Sequence, residues 1–125
     1  MENKLYRPRL IDKTLQQKLM LAKAVCVQGP KACGKTWAAL KAAKSQIMLG
    51  DGRDNFSNRR LSLLDNSFAL RGEKPHLIDE WQEIPSLWDA VKFEVDKTTE
   101  PGQYILTGSS TPKRKGIMHS GTGRI

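Results

Sequence analysis

The chain has 125 residues, 38% of them hydrophobic and 27% charged, and carries a formal net charge of +8. This is the composition of one ordinary globular domain with enough apolar material for a single core. It excludes a charge-dominated disordered chain, and no stretch approaches the ~18 apolar residues of a membrane span.

The amino terminus, Met1-Glu2-Asn3-Lys4-Leu5-Tyr6-Arg7-Pro8, has no apolar leader, and residues 5–9 read as extended, held by Pro8. Ile11, Leu15 and Leu19 fall at intervals of four and predict a helix over 11–22. Ala24-Val25-Cys26-Val27 then forms a short apolar run suited to a buried strand. It feeds directly into Gly29-Pro30-Lys31-Ala32-Cys33-Gly34-Lys35-Thr36, which is the G-x-x-x-x-G-K-T pattern of a P-loop, or Walker A motif. The pattern has a physical basis. Two glycines let the backbone turn tightly enough to aim a row of N–H groups at phosphate oxygens, and the following helix adds the positive end of its dipole. Lys35 is placed to reach the β- and γ-phosphates and the Thr36 hydroxyl to ligate Mg²⁺. Residues 37–44, opening with Trp37, are strong helix formers, so strand, glycine loop and helix follow in the order the motif requires. The predicted nucleotide-binding segment is therefore Gly29, Pro30, Lys31, Ala32, Cys33, Gly34, Lys35, Thr36 and Trp37. Cys33, beside a helix start and Lys35, is the expected first target of a thiol reagent, with MgATP protecting it; Cys26 is expected to be shielded in its strand.

Gln46-Ile47-Met48-Leu49 predicts a second strand, closed by Gly50-Asp51-Gly52. Leu61, Leu64 and Phe68 predict one loosely amphipathic helix. Lys74-Pro75 breaks the chain before His76-Leu77-Ile78-Asp79-Glu80, an apolar run ending in two acids. This has the shape of a Walker B strand. Asp79 would hold Mg²⁺ opposite Thr36, and Glu80 would polarise the attacking water. Pro85 opens a clearer helix with Ile84, Leu87, Trp88, Val91 and Val95 on one stripe, and Glu100-Pro101-Gly102 is a turn. Gln103-Tyr104-Ile105-Leu106-Thr107-Gly108-Ser109-Ser110 is a β-rich run in which Thr107 or Ser109 is a candidate sensor of the γ-phosphate. Strands alternating with helices imply right-handed crossovers and a parallel sheet, hence an α/β P-loop fold.

Cys26 and Cys33 make neither a metal spacing nor a C-x-x-C pair, which is consistent with a reduced, cytoplasmic chain. His76 and His119 are isolated, and no structural metal is expected. The positive charge is spread along the chain, and only Lys113-Arg114-Lys115 forms a run, without an aromatic ladder. Nucleic acid is possible as a partner but not indicated.

The succession GPKACGKT, HLIDEWQEIPSLWDAVKFEVD, YILTGSSTP and HSGTGRI resembles the AAA-type ATPase domain of many bacterial and archaeal proteins, in which a C-terminal domain of unknown function usually follows. The resemblance runs from about Tyr6 to Ile125, and Trp81-Gln82-Glu83-Ile84-Pro85 is its most distinctive extension. It implies a core sheet in the order 5-1-4-3-2 with the sensor strand between the P-loop and Walker B strands. It also implies MgATP as ligand, Lys35 and Thr36 as the Walker A pair, Asp79 and Glu80 as the Walker B pair, and Ser109 or Thr107 as the sensor. Arg124 resembles a trans-acting arginine finger. The expected organisation is an extended segment and helix over 1–23 and a P-loop ATPase core over 24–125 that looks truncated before its fifth strand, as in a fragment or a shortened reading frame. The activity implied is hydrolysis of ATP at its γ-phosphate. The alternatives are an ATP-binding but inactive interaction module and, from a different class, a nucleotide-type phosphotransferase. An unidentified protein partner and a homo-oligomer are both compatible with the resemblance.

Overall fold

A computed structural model describes residues 12–29, 35–50, 52 and 56–109. Residues 12–19 are helical (α1), with turns closing at Met20 and Leu21. There follow β1 (Ala24–Gly29), α2 (Lys35–Ala42), β2 (Ser45–Met48), α3 (Ser57–Leu64), α4 (Asn66–Leu70), β3 (His76–Asp79), a 3-10 turn (Trp81–Glu83), α5 (Ser86–Val95) and β4 (Tyr104–Ser109). The strands form a four-stranded sheet in the order β1-β4-β3-β2, with every pair parallel. This is an α/β fold of the P-loop NTPase type. β4, the last strand of the described residues, lies between β1 and β3, and β1 has no strand on its outer side among them.

Side chains on a strand alternate between faces, so each strand feeds two apolar layers. One layer joins Ile78, Tyr104 and Leu106 to Trp81, Ile84, Leu87, Trp88, Val91 and Val95 beneath α5. The other joins Leu15, Val25, Leu77 and Ile105 to Ala38 and Ala39 of α2. Two alanines at that contact let α2 approach the sheet closely, which matters for the site below. Each fully buried Leu, Ile or Val contributes about 1.5–3 kcal/mol. The stripe predicted on α5 is the buried one, and Trp81 and Trp88 meet with ring centroids 5.0 Å apart. At the sheet's entry end, Gly102 supplies the left-handed φ of 71° that its turn requires, and its N–H reaches Ala22 O at 2.9 Å.

The single helix expected from Leu61, Leu64 and Phe68 is two helices. Asp65 breaks it with an extended backbone, its carboxylate accepting from Ser67 N at 3.0 Å and Ser67 Oγ at 2.8 Å. This caps α4 and resets the helical phase. Leu61 and Leu64 consequently face solvent, and Ser62 and Ala69 are the buried residues.

His76, at the start of β3, has acquired partners that its isolation in sequence does not suggest. Nε2 lies 2.7 Å from Ala69 O, and Nδ1 lies 2.6 Å from Ser45 Oγ. Burial pushes its pKa below the ordinary 6.5; the Ala69 carbonyl opposes that shift and Lys74 adds to it. The folded protein thus binds this proton less readily than the unfolded chain. Its contribution to stability is complete above about pH 6.5 and is lost as pH falls below that value. Urea melts of the parent and of His76→Phe should therefore differ most at pH 7.5 and converge toward pH 5. Parallel pH profiles would show that His76 is not the titrating group.

Candidate functional site

The two periodicities meet at the carboxyl end of the sheet. Leu77 faces α2, so Asp79, two residues on, does too; the same parity carries Ile105 to Thr107. The register places Asp79 directly opposite Thr107. Lys35 opens α2 and Thr36 follows it, so the first turn of the helix stands over this pair. The result is a compact oxygen cluster. The Thr36 hydroxyl donates to Asp79 Oδ1 at 3.1 Å, and the buried Thr107 hydroxyl donates to the same oxygen at 2.5 Å. Asp79 is only 7% exposed, and these two hydroxyls satisfy its inner oxygen. A hydroxyl and a carboxylate side by side are hard oxygen donors of the type Mg²⁺ prefers, and Asp79 retains a second carboxylate oxygen. Magnesium fits this donor set.

Glu80 leaves the strand in a different direction. Its backbone is left-handed, with φ 59° and ψ 48°. For a residue with a Cβ this costs on the order of 1–3 kcal/mol, and such outliers gather at functional sites. The twist separates two sequence-adjacent carboxylates and gives each its own donors. Glu80 Oε1 accepts from Gln82 Nε2, and Oε2 accepts from Ser109 Oγ at 3.3 Å. The 3-10 turn that carries Gln82 is tied back by Glu83 N to Glu80 O at 3.1 Å and by an Arg59–Glu83 ion pair at 3.5 Å from α3. Gln28 reaches across from β1, donating to Ser109 O at 3.1 Å.

The two sensor candidates therefore separate: Thr107 bonds to Asp79, and Ser109 to Glu80. Gly29 ends β1, buried, and Trp37 on α2 is largely exposed. Pro30, Lys31, Ala32, Cys33, Gly34, Arg124 and the Lys113-Arg114-Lys115 run lie outside the described residues. Cys26 is half-buried on β1, and burial pushes its thiol up to about 12, an effect the neighbouring Trp81 indole partly offsets. Sequence reasoning missed Gln28 and Gln82. Gln82 stands inside the distinctive WQEIP segment, but an amide in a turn carries no chemical signature until its neighbours are known.

A family model described as an AAA domain matches residues 21–125. The uncharacterized proteins Mb2031c of Mycobacterium bovis and Rv2008c of Mycobacterium tuberculosis are each 31% identical to the chain over 114 residues. Each alignment covers 89% of this chain and 25% of the relative, so the chain spans about a quarter of the length of these curated relatives. No solved structure matches it.

Proposed function

We propose, from the premise that this chain belongs to the AAA-domain family, that it binds MgATP and hydrolyses the γ-phosphate. The observation that carries this reading is the grouping of Thr36, Asp79 and Thr107 at the sheet's carboxyl end, with Glu80 turned aside under separate donors.

In this mechanism the N–H groups of the glycine loop, which Pro30 lacks, and the Lys35 ammonium bind the phosphate chain and neutralise its charge. Thr36 and Asp79 would hold Mg²⁺, which when bound would supply further neutralisation of phosphate charge. Thr107 aims the Asp79 carboxylate by donating to it. Glu80 accepts a proton from the attacking water as the water oxygen forms its bond to the γ-phosphorus. The bond from that phosphorus to the bridging oxygen breaks, ADP leaves with the electron pair, and inorganic phosphate is the second product. Ser109, bonded to Glu80, is placed to sense the γ-phosphate. No helix among the described residues is long and apolar enough to cross a membrane.

Calorimetry with MgATP, paired with a phosphate-release assay, tests the reading. The parent should bind and turn over ATP. Asp79→Asn should chiefly weaken the dependence on magnesium, because a neutral amide is a poor ligand for a hard cation. No binding at millimolar MgATP would overturn the assignment, and binding without phosphate release would leave an ATP-binding module that is not a hydrolase.

A further inference from the structure

Gln82 is 8% exposed, and its amide is divided in its fortunes. Nε2 donates to Glu80 Oε1, whereas the Gln82 Oε1 is buried with no hydrogen-bond partner among the described residues. Turning the amide over offers no relief, because its carbonyl oxygen would then press against the Glu80 carboxylate, acceptor against acceptor. A buried acceptor left without a donor costs stability, and such groups call for an explanation outside packing. The amide also has nowhere else to go. A Cβ built on Gly108 would lie 2.5 Å from Gln82 Oε1 and 3.1 Å from Trp81 Nε1, so the β4 backbone is in close contact beneath it. Trp81 and Ile84 on either side in sequence are buried, and the Arg59–Glu83 pair anchors the turn from α3.

We propose that Gln82 is the positioning residue for Glu80. Its wedged amide fixes the direction of the carboxylate and engages Oε1. Oε2, held among the described residues by Ser109 at 3.3 Å, is the oxygen that receives the water proton. The role rests on the reading of Glu80 as the base. A displacement of about 1 Å at a reacting group costs roughly 100-fold in rate, so the clamp acts on turnover and not on nucleotide affinity.

The test has two arms, both on the full chain. In the kinetic arm, Gln82→Met should lower kcat about 10–100-fold with KM for MgATP within twofold of the parent. Gln82→Leu, close in size and without a donor at any pH, should behave alike and guards against a folding defect peculiar to the first variant; thermal melts check both. Unchanged kcat, a raised kcat, or a loss confined to KM would each overturn the role. The second arm needs no turnover. In a ¹H–¹⁵N spectrum of the parent the Gln82 side-chain amide should be displaced from the free glutamine position and protected from exchange, and Glu80→Ala should return it to that position. A free-glutamine signal in the parent overturns the clamp whatever the kinetics show. A displaced signal in a parent that fails to hydrolyse ATP supports the clamp and overturns the hydrolase reading alone.

Discussion

Glu80→Gln should bind MgATP within twofold of the parent while phosphate release falls at least ~100-fold, the range that loss of a general base produces. The substitution is well suited to the site. A glutamine at position 80 keeps a carbonyl oxygen for the Gln82 amide and presents its own NH₂ to the Ser109 hydroxyl, which can accept. Both hydrogen bonds of the native carboxylate thus retain a partner, and the left-handed turn keeps its support. What is lost is the negative charge that, in the proposed mechanism, draws a proton from water. Single-turnover phosphate release, with affinity measured separately by calorimetry, reads the two effects apart. Phosphate release as fast as in the parent would show that Glu80 is not the base.

Lys35→Ala acts at the other end of the reaction coordinate. Affinity for MgATP should fall at least tenfold, since a charge-assisted hydrogen bond contributes about 1.5–3 kcal/mol. Alanine is the best helix former and Lys35 is the first residue of α2, so the helix should survive the change. An unaltered melting temperature without nucleotide, combined with weakened binding, is the expected pair of results. Equal affinity of the two proteins would remove the P-loop from the account.

The parts of this fold that could be read from sequence are those where one local signal decides. The apolar run before the glycine loop marks β1, the spacing of Leu87, Val91 and Val95 marks α5, and the acids after Ile78 mark the end of β3. The α3–α4 region was misread because Leu61, Leu64 and Phe68 satisfy a helical period while Asp65, between them, starts a new helix with its own cap. A local capping bond outweighed a weak apolar periodicity. Asp79 and Glu80 could be picked out as acids after a strand, but their separate surroundings could not. That division depends on a left-handed residue, on the parallel register of β3 with β4, and on a glutamine two positions along. Such a juxtaposition joins segments far apart in sequence, and periodicity holds no record of it.

The insertion of β4 between β1 and β3 has a consequence for the order in which this protein comes into being. A ribosome delivers β1 long before β4, and among the described residues β4 is the strand with which β1 pairs. β1 and β3 must therefore wait, unjoined, until the chain up to Ser109 has emerged. Pairings this remote in sequence close slowly, and exposed strand edges in the interval invite aggregation. The same late strand brings Thr107 to Asp79 and Ser109 to Glu80. Core and oxygen cluster are thus completed in one event, and a nascent chain that has not yet received its central strand lacks the site proposed here for nucleotide.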